Sequence, residues 1–377
     1  MADLFDYLHW RGDLRFSQDP VNAVDALIFS ALSYIDLGGS VEALPEVPIT
    51  LAEASEEFFK LPDQAQRCRA KNDLSLLMAA AETPRFGSAL LLQFRSKLIP
   101  QEETQFAAVT FLLDDNTGFI AFRGTDYSLT GWKEDFNMSF RDTIPSQLLA
   151  LEYTREIAEK YIMPLRLGGH SKGGNLAVFA AVKSDPAVRS RILNVFSMDG
   201  PGFTEYLLSD PAYGEMVPRI RTIVPQSSVI GMLLEHEEPY TIIKSKQLGL
   251  LQHELYSWEV DGPHFVPMEE ITADSRFLDQ TIKTWFSGMT NEERNEIVDA
   301  VFELLGMGDV DNVLDIIHPK NLKNYFRTLA TNSKIRKMLS DEFLSLLEAA
   351  RKTQLALDTP QQKEVTDGTE TSDRNSI

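Results

Sequence analysis

Ser171 stands in the segment Leu167–Ala177, LGGHSKGGNLA, where Gly169, His170, Ser171, Lys172 and Gly173 form a small-X-Ser-X-small pattern. This spacing suits a nucleophile elbow, a serine on a sharp strand-to-helix turn whose flanking glycines remove the Cβ clashes that would hold strand and helix apart. A serine hydroxyl is a weak nucleophile at neutral pH. The turn therefore implies a general base, ordinarily histidine, and a carboxylate that orients it. Of the six histidines, His9 lies near the N-terminus, His170 sits inside the turn and points away from the hydroxyl, and His318 falls among C-terminal helical segments. His236, His253 and His264 remain. In the order Ser, Asp or Glu, His, the base follows the last strand of the sheet. The run Tyr240–Ser245 (YTIIKS) reads as that strand, so His253 in LGLLQHELYSWEV is the expected base, with His264 and His236 as alternates.

The expected carboxylate is Asp199, which ends the apolar run RILNVFSM and directly precedes Gly200 and Pro201. If that run lies parallel beside the strand before Ser171, both residues leave the same sheet edge. The competing reading is an aspartate that only starts a turn, with Glu235 and Glu237 as substitute acids. Acyl transfer also needs two oxyanion donors, each contributing about 3 kcal/mol of transition-state stabilisation. The Lys172 backbone N–H is one, and the turn Arg123-Gly124-Thr125-Asp126 is expected to supply the other through the N–H and hydroxyl of Thr125. The Lys172 side chain reads either as a solvated first-turn residue or as a group that meets an anionic acyl or phosphate moiety. Asn175 is expected to buttress the elbow, and Trp132 with Asp135 to pin the oxyanion loop.

The elements that must position these groups are legible in outline. Val21–Asp36, Leu51–Lys60 and Ala65–Ala81 carry helical apolar spacing, so the first hundred residues read as helices wrapping a sheet. QFAAVTFLLDD, NTG and FIAFRG then read as a hairpin that starts the central sheet. A mostly polar helix at Ser146–Lys160, a strand at Leu165–Leu167, the elbow, a helix at Gly174–Lys183 and strands Arg191–Met198 and Arg219–Pro225 give the βαβ rhythm of a parallel sheet. Beyond Pro267 amphipathic helices are expected at Ser275–Met289, Asn291–Leu305, Val310–Ile317, Leu322–Leu329 and Ser333–Leu355. The expected organisation is an α/β-hydrolase-type domain over 1–266, a helical module over 267–357 and a polar, disordered tail over 358–377.

The chain carries 56 acidic against 36 basic side chains and a formal charge of −20, which repels phosphate backbones and makes nucleic acid an unexpected partner. A neutral acyl or lipid substrate in an apolar pocket remains compatible with that charge. Cys68 is the only cysteine, so no intrachain disulfide forms, and the N-terminal segment lacks an uninterrupted apolar stretch. A cytoplasmic, soluble protein without a transmembrane segment, metal or organic cofactor is expected.

The two motifs IAFRGTDYSLTGWKEDF and LGGHSKGGNLA resemble those of the class 3 lipases. Together with SMDGPGF, VPQSSVIGML and QHELYSWEV, they are more closely similar to a bacterial group of Mbeg-like α/β-hydrolases, over about residues 4–260. The resemblance implies a serine hydrolase fold with Ser171 as nucleophile and the Thr125 loop at the oxyanion. Class 3 lipases place their aspartate after the strand that here ends in VPQSSVIG. The serines at that place move the acid to Asp199 or leave the triad incomplete. The leading expectation is a carboxylic-ester hydrolase. Thioesterase, peptidase and acyltransferase chemistry are alternatives, as is an inactive scaffold whose C-terminal helices meet a protein partner, or helices that act as a lid.

Overall fold

Strand Gly118–Phe122 (GFIAF) is apolar throughout and wholly buried, so both faces of the sheet it enters must be covered. Its side chains divide accordingly: Phe119 and Ala121 enter one core, Ile120 and Phe122 the other. The computed structural model describes residues 2–38, 47–126, 128–306 and 319–358. It contains an eight-stranded sheet in chain order: β1 (Ile49–Thr50), β2 (Leu90–Ile99), β3 (Thr104–Leu112), β4 (Gly118–Phe122), β5 (Leu165–His170), β6 (Ile192–Met198), β7 (Ile220–Pro225) and β8 (Tyr240–Ile243). Strands β1 to β4 pair antiparallel, and β4 to β8 pair parallel. This is the expected α/β architecture, a mostly parallel sheet flanked by helices.

The expected hairpin is β3 and β4, but it does not start the sheet. β1 and β2 precede it, inside the stretch read as helical. LLLQFRSKLI in β2 opens with a leucine run buried on both faces and then leaves the core, with Ser96 and Leu98 exposed, so it shows no steady alternation. The helices of the first hundred residues do wrap the sheet, covering one face. Helix α1 (Ala23–Leu32) lies against it, capped by Asn22, whose side chain accepts from the Val24 and Asp25 amides. Phe29 on α1 is the hub, with ring centroids 4.7 Å from Phe119, 4.9 Å from Phe111, 5.2 Å from Phe86 and 5.7 Å from Phe16. Asp25, wholly buried, accepts from Tyr7 Oη at 2.7 Å and Arg85 Nε at 2.8 Å, and so ties three helical segments together.

Between β4 and β5 run α2 (Leu129–Asn137) and α3 (Pro145–Lys160), and α4 (Lys172–Lys183) follows β5. Although α3 reads as mostly polar, Ala150, Tyr153, Ile157 and Ala158 pack with α4 in the second core, because every fourth residue or so suffices for one buried stripe. α5 (Ala273–Ser287) opens the C-terminal helical stretch, followed by helices Asn291–Gly306, Pro319–Thr331 and Ser333–Asp358. The helix expected at Val310–Ile317, His318, and all but the first residue of the expected tail lie outside the described residues. Arg294 donates to the Ser139 carbonyl at 2.8 Å, and Lys133 pairs with Asp299 at 2.8 Å, so this stretch is bonded to α2 and the turn after it. Among the described residues no helix is long and apolar enough to cross a membrane.

Truncating Phe29 leaves a void that its aromatic neighbours cannot fill by small shifts. Phe29→Ala is expected to lower unfolding free energy by about 3–5 kcal/mol, read as a reduced urea midpoint at unchanged slope.

Candidate active site

β5 ends at His170, and Ser171 bends the chain into α4 with φ 60 and ψ −132, a conformation that L residues adopt only where the surroundings enforce it. Two backbone bonds do so: Ser171 N–H donates to the Met198 carbonyl at 2.9 Å, and Gly174 N–H donates to the Ser171 carbonyl at 2.9 Å. A Cβ on Gly173 would stand 2.1 Å from the Phe122 carbonyl oxygen, so glycine is what lets α4 begin against β4. A Cβ on Gly124 would stand 2.4 Å from the His170 carbonyl oxygen and 3.1 Å from Ser171 Cβ. The Arg123–Asp126 turn is thus pressed directly onto the elbow.

His170 pairs with Met198 in the parallel register of β5 and β6, which brings Ser171 and Asp199 out at the same sheet edge. Asp199, itself at φ 51, is wholly buried. Its Oδ2 lies 2.6 Å from His253 Nδ1, while Oδ1 accepts from Ser228 Oγ and from the Gly231 N–H at 3.2 Å. A carboxylate oxygen only accepts, so Nδ1 carries a proton, and in the neutral imidazole Nε2 is the nitrogen that bears the lone pair. Ser228 belongs to VPQSSVIG, where the lipase resemblance would put the acid. Here that segment donates to the acid instead of providing it. Neither Ser171 Oγ nor His253 Nε2 has a hydrogen-bond partner among the described residues, so the serine–imidazole contact is open in this structure. Unliganded hydrolases often tighten that contact only with substrate present.

His253 ends the short turn Gly249–His253 and is held through its backbone. His170 Nε2 lies 2.8 Å from the His253 carbonyl oxygen, and Tyr34 Oη lies 2.8 Å from His170 Nδ1. The carbonyl can only accept, so His170 carries its proton on Nε2 and Tyr34 donates to Nδ1. The two imidazoles lie 4.5 Å apart, centroid to centroid. Burial, then the neighbouring His253 and Arg69, drive His170 well below the ordinary histidine value. Arg69 lies 4.6 Å over the Tyr34 ring and bonds Glu254 through both terminal nitrogens, at 2.9 and 2.8 Å. The residue before Ser171 therefore does point away from the hydroxyl, and it grips the backbone of the expected base.

Thr125 Oγ1 lies 2.7 and 2.6 Å from the two Asp135 oxygens. This differs from the expectation that the hydroxyl is free for an oxyanion, since its single proton is committed to the carboxylate; the Thr125 N–H has no backbone acceptor among the described residues. Desolvation pushes Asp135 up to about 6, against the lowering effects of the Lys172 charge and the Thr125 bond. Trp132 is 43% exposed, and among the described residues only Asp135 of the expected pair is bonded to the loop. The Lys172 N–H begins α4, where amides have no acceptor within the helix. Its side chain is neither solvated nor turned toward a ligand. Fully buried, Nζ donates to the Gln105 carbonyl at 2.9 Å, Gln105 Oε1 at 2.8 Å and Glu134 Oε2 at 2.8 Å. Asn175 is bonded to the turn after β6 and to α3 and, among the described residues, makes no side-chain hydrogen bond to the elbow it was expected to buttress: it donates to the Gly202 carbonyl at 2.9 Å and accepts from Gln147 at 2.8 Å.

The alternates are placed elsewhere. His236 has both ring nitrogens on acceptors, Nδ1 3.1 Å from Glu238 Oε1 and Nε2 2.9 Å from the Gly231 carbonyl. His264 is exposed in a two-stranded ribbon opposite Asp261 and has no bond to Ser171 or Asp199 among the described residues. Glu235 pairs with Lys283 at 3.2 Å, and neither it nor Glu237 bonds His253 among the described residues. No group of three or more His, Cys, Asp or Glu side chains among the described residues is arranged to hold a metal ion.

An elbow serine at the carboxyl edge of a parallel sheet, flanked by helices on both faces, defines an α/β-hydrolase-type fold. The chain belongs to the Mbeg1-like family, whose model matches residues 80–303. No curated protein matches it. Among solved structures it is similar to the Rhizomucor miehei lipase in its propeptide complex, at 16% identity and TM-score 0.32, covering 41% of this chain and 57% of that one. The chain thus spans just over half of that lipase's length. It is also similar to lipase II from Rhizopus niveus, at 16% identity and TM-score 0.32 over 53% of this chain and 83% of that one. A mutant form of MDLA from Penicillium cyclopium gives 15% identity and TM-score 0.38 over 66% of this chain and 87% of that one.

Because folding holds His170 neutral, the unfolded chain binds one more proton below the ordinary value of 6.5. The stability from this residue is complete above that pH and lost as pH falls below it. Asp135, raised from 3.8 to about 6, works the other way between those values, so the comparison must be differential. The stability advantage of wild type over His170→Gln is expected to shrink by about 1.4 kcal/mol in all between pH 7.5 and about pH 5.5, measured by urea unfolding at both. A constant difference would show that His170 titrates as freely folded as unfolded.

Proposed function

We propose that this protein is a serine hydrolase that cleaves carboxylic esters through an acyl-enzyme, with Ser171 as nucleophile, His253 as general base and Asp199 as the acid that orients it. The observation that carries the reading is the 2.6 Å bond from His253 to the buried Asp199, formed beside a serine held at positive φ. His253 Nε2 takes the Ser171 proton as Oγ bonds to the acyl carbon, and the carbonyl becomes an oxyanion facing the Lys172 and Thr125 amides. Collapse breaks the ester C–O bond, and the imidazolium returns its proton to the departing alkoxide. Water, deprotonated by Nε2, then releases the acid and frees Ser171. Asp199 remains ionised throughout and stabilises the imidazolium. The α4 N-terminus adds a favourable dipole at the oxyanion.

The substrate class proposed is a small acyl or lipid ester, acted on in the cytoplasm by a 1–266 hydrolase domain carrying a 267–357 helical module. Thioester, amide or transfer chemistry would use the same groups. One observation favours a second reading, an inactive body that serves as a scaffold: Ser171 Oγ and His253 Nε2 do not meet in this structure.

A fluorophosphonate probe separates the two. Wild type is expected to be labelled and Ser171→Ala unlabelled, while His253→Ala and Asp199→Asn slow p-nitrophenyl ester turnover by about 10³–10⁴-fold with unfolding midpoints near wild type. Folded wild type that resists the probe would establish the scaffold.

A further inference from the structure

Lys172 follows the nucleophile directly, yet its side chain is fully buried and its three ammonium protons have three acceptors, two on Gln105 and one on Glu134. Nothing on this ammonium is left for a ligand. We infer that Lys172 is a positioning residue whose side chain holds the elbow and the Thr125 loop in register, so that the two oxyanion amides keep their spacing. The inference rests on the serine-hydrolase reading above and deepens it.

The bonds form a closed path. Gln105 lies near the start of β3 and Glu134 on α2, so the lysine joins the first residue of α4 to two separate elements. Glu134 is itself fully engaged: Oε2 also accepts from the Gln105 N–H at 3.0 Å, and Oε1 accepts from the Ser146 N–H at 2.9 Å, in the first turn of α3. The next residue on α2, Asp135, accepts from the Thr125 hydroxyl. One proposed donor is thus the Lys172 amide, and the other sits on a loop bonded to the neighbour of the residue that Lys172 grips. A buried lysine and carboxylate cannot slide past each other without leaving a charge unpaired, so the link is stiff.

The same ammonium acts on Asp135 by charge, Nζ standing 3.8 Å from Oδ1. The groups that face Asp135 are Lys172, Thr125, Glu134 and His253, and Lys172 pulls it down more than Glu134 pushes it up. Taking the ammonium away removes the largest effect opposing burial and leaves the Thr125 bond and the His253 charge, so Asp135 then holds its proton to higher pH. A protonated Asp135 competes as a donor and loosens the Thr125 hydroxyl. Lys172 therefore fixes both where the second amide sits and the pH down to which it stays there.

The test uses the full chain, p-nitrophenyl acetate kinetics and urea unfolding. Lys172→Met strands Glu134 and can fail to fold, so Lys172→Met/Glu134→Gln, which removes both charges and keeps the carbonyl acceptor for Gln105, is made beside it. In whichever variant folds, kcat is expected to fall about 10²-fold with KM within about twofold, and the acid limb of the kcat profile to move to higher pH. Adding Asp135→Asn is expected to cost little more, because both substitutions cut one path. Wild-type kcat with an unmoved acid limb, or losses that simply multiply with Asp135→Asn, would overturn the inference. The two readings fail differently. If Ser171→Ala keeps wild-type turnover, the hydrolase reading falls and takes this one with it. If only the lysine variants keep it, the hydrolase stands and Lys172 is structural.

Discussion

A carboxylate buried without water must find donors within the fold or lose its charge, and Asp199 at the end of β6 is under that constraint. Its oxygens draw in His253 Nδ1, Ser228 Oγ and the Gly231 N–H, and each brings a separate stretch of chain to the sheet edge. The loop after β7 is in turn fastened from the far side. The Thr272 N–H donates to the Gln226 carbonyl at 2.7 Å, the Thr272 and Ser227 hydroxyls lie 3.0 Å apart, and Ser275 Oγ donates to the Ser228 carbonyl. The start of α5 therefore supports the residue that supports the acid. The C-terminal helical stretch is connected to the site by covalent sequence and by these bonds, whatever further use it has.

The strain at this edge is local and is met by the bulk. Ser171 and Asp199 both hold positive φ on neighbouring strand ends, each at a cost of about 1–3 kcal/mol. The neighbouring glycines let backbones meet, and the two cores on either face keep β5 and β6 from relaxing. Phe119 on β4 stacks on Phe29 from one side while Phe122 packs toward Tyr153 on the other, so the strand beside the elbow is clamped across its thickness.

What could be read in the sequence was what depends on local pattern and chain order. The elbow has a spacing, Asp199 ends an apolar run, and His253 follows the last strand at loop distance; these needed no knowledge of distant partners. What could not be read depends on pairings far apart in sequence. A charged residue among glycines reads as solvated, because Gln105 and Glu134 are 67 and 38 residues from Lys172. The sequence places His170 inside the turn and pointing away from the hydroxyl, but not what it holds, because its acceptor is the carbonyl of a residue 83 positions away. Ser228 reads in the sequence as the absence of an acid, and its bond to Asp199 appears only once β6 and β7 lie side by side. β2 is illegible in the sequence for a different reason. It changes from fully buried to half-exposed along its length, so no single periodicity describes it.

The open contact between Ser171 and His253 gains meaning from what surrounds it. The backbone of His253 is fixed through its carbonyl by His170, and that of its neighbour through the Glu254 carboxylate by Arg69. Its ring is fixed at Nδ1 by Asp199. Ser171 is fixed by backbone bonds on both sides. The freedom left to the pair is the serine's χ1 rotation and a small tilt of the imidazole about its bond to Asp199, motions within or between staggered wells that need no rearrangement of the chain. A site arranged in this way completes its ordering during folding. On the proposed reading, the approach of a carbonyl then has only to turn one hydroxyl, because the groups that would meet the developing charge are already held in place.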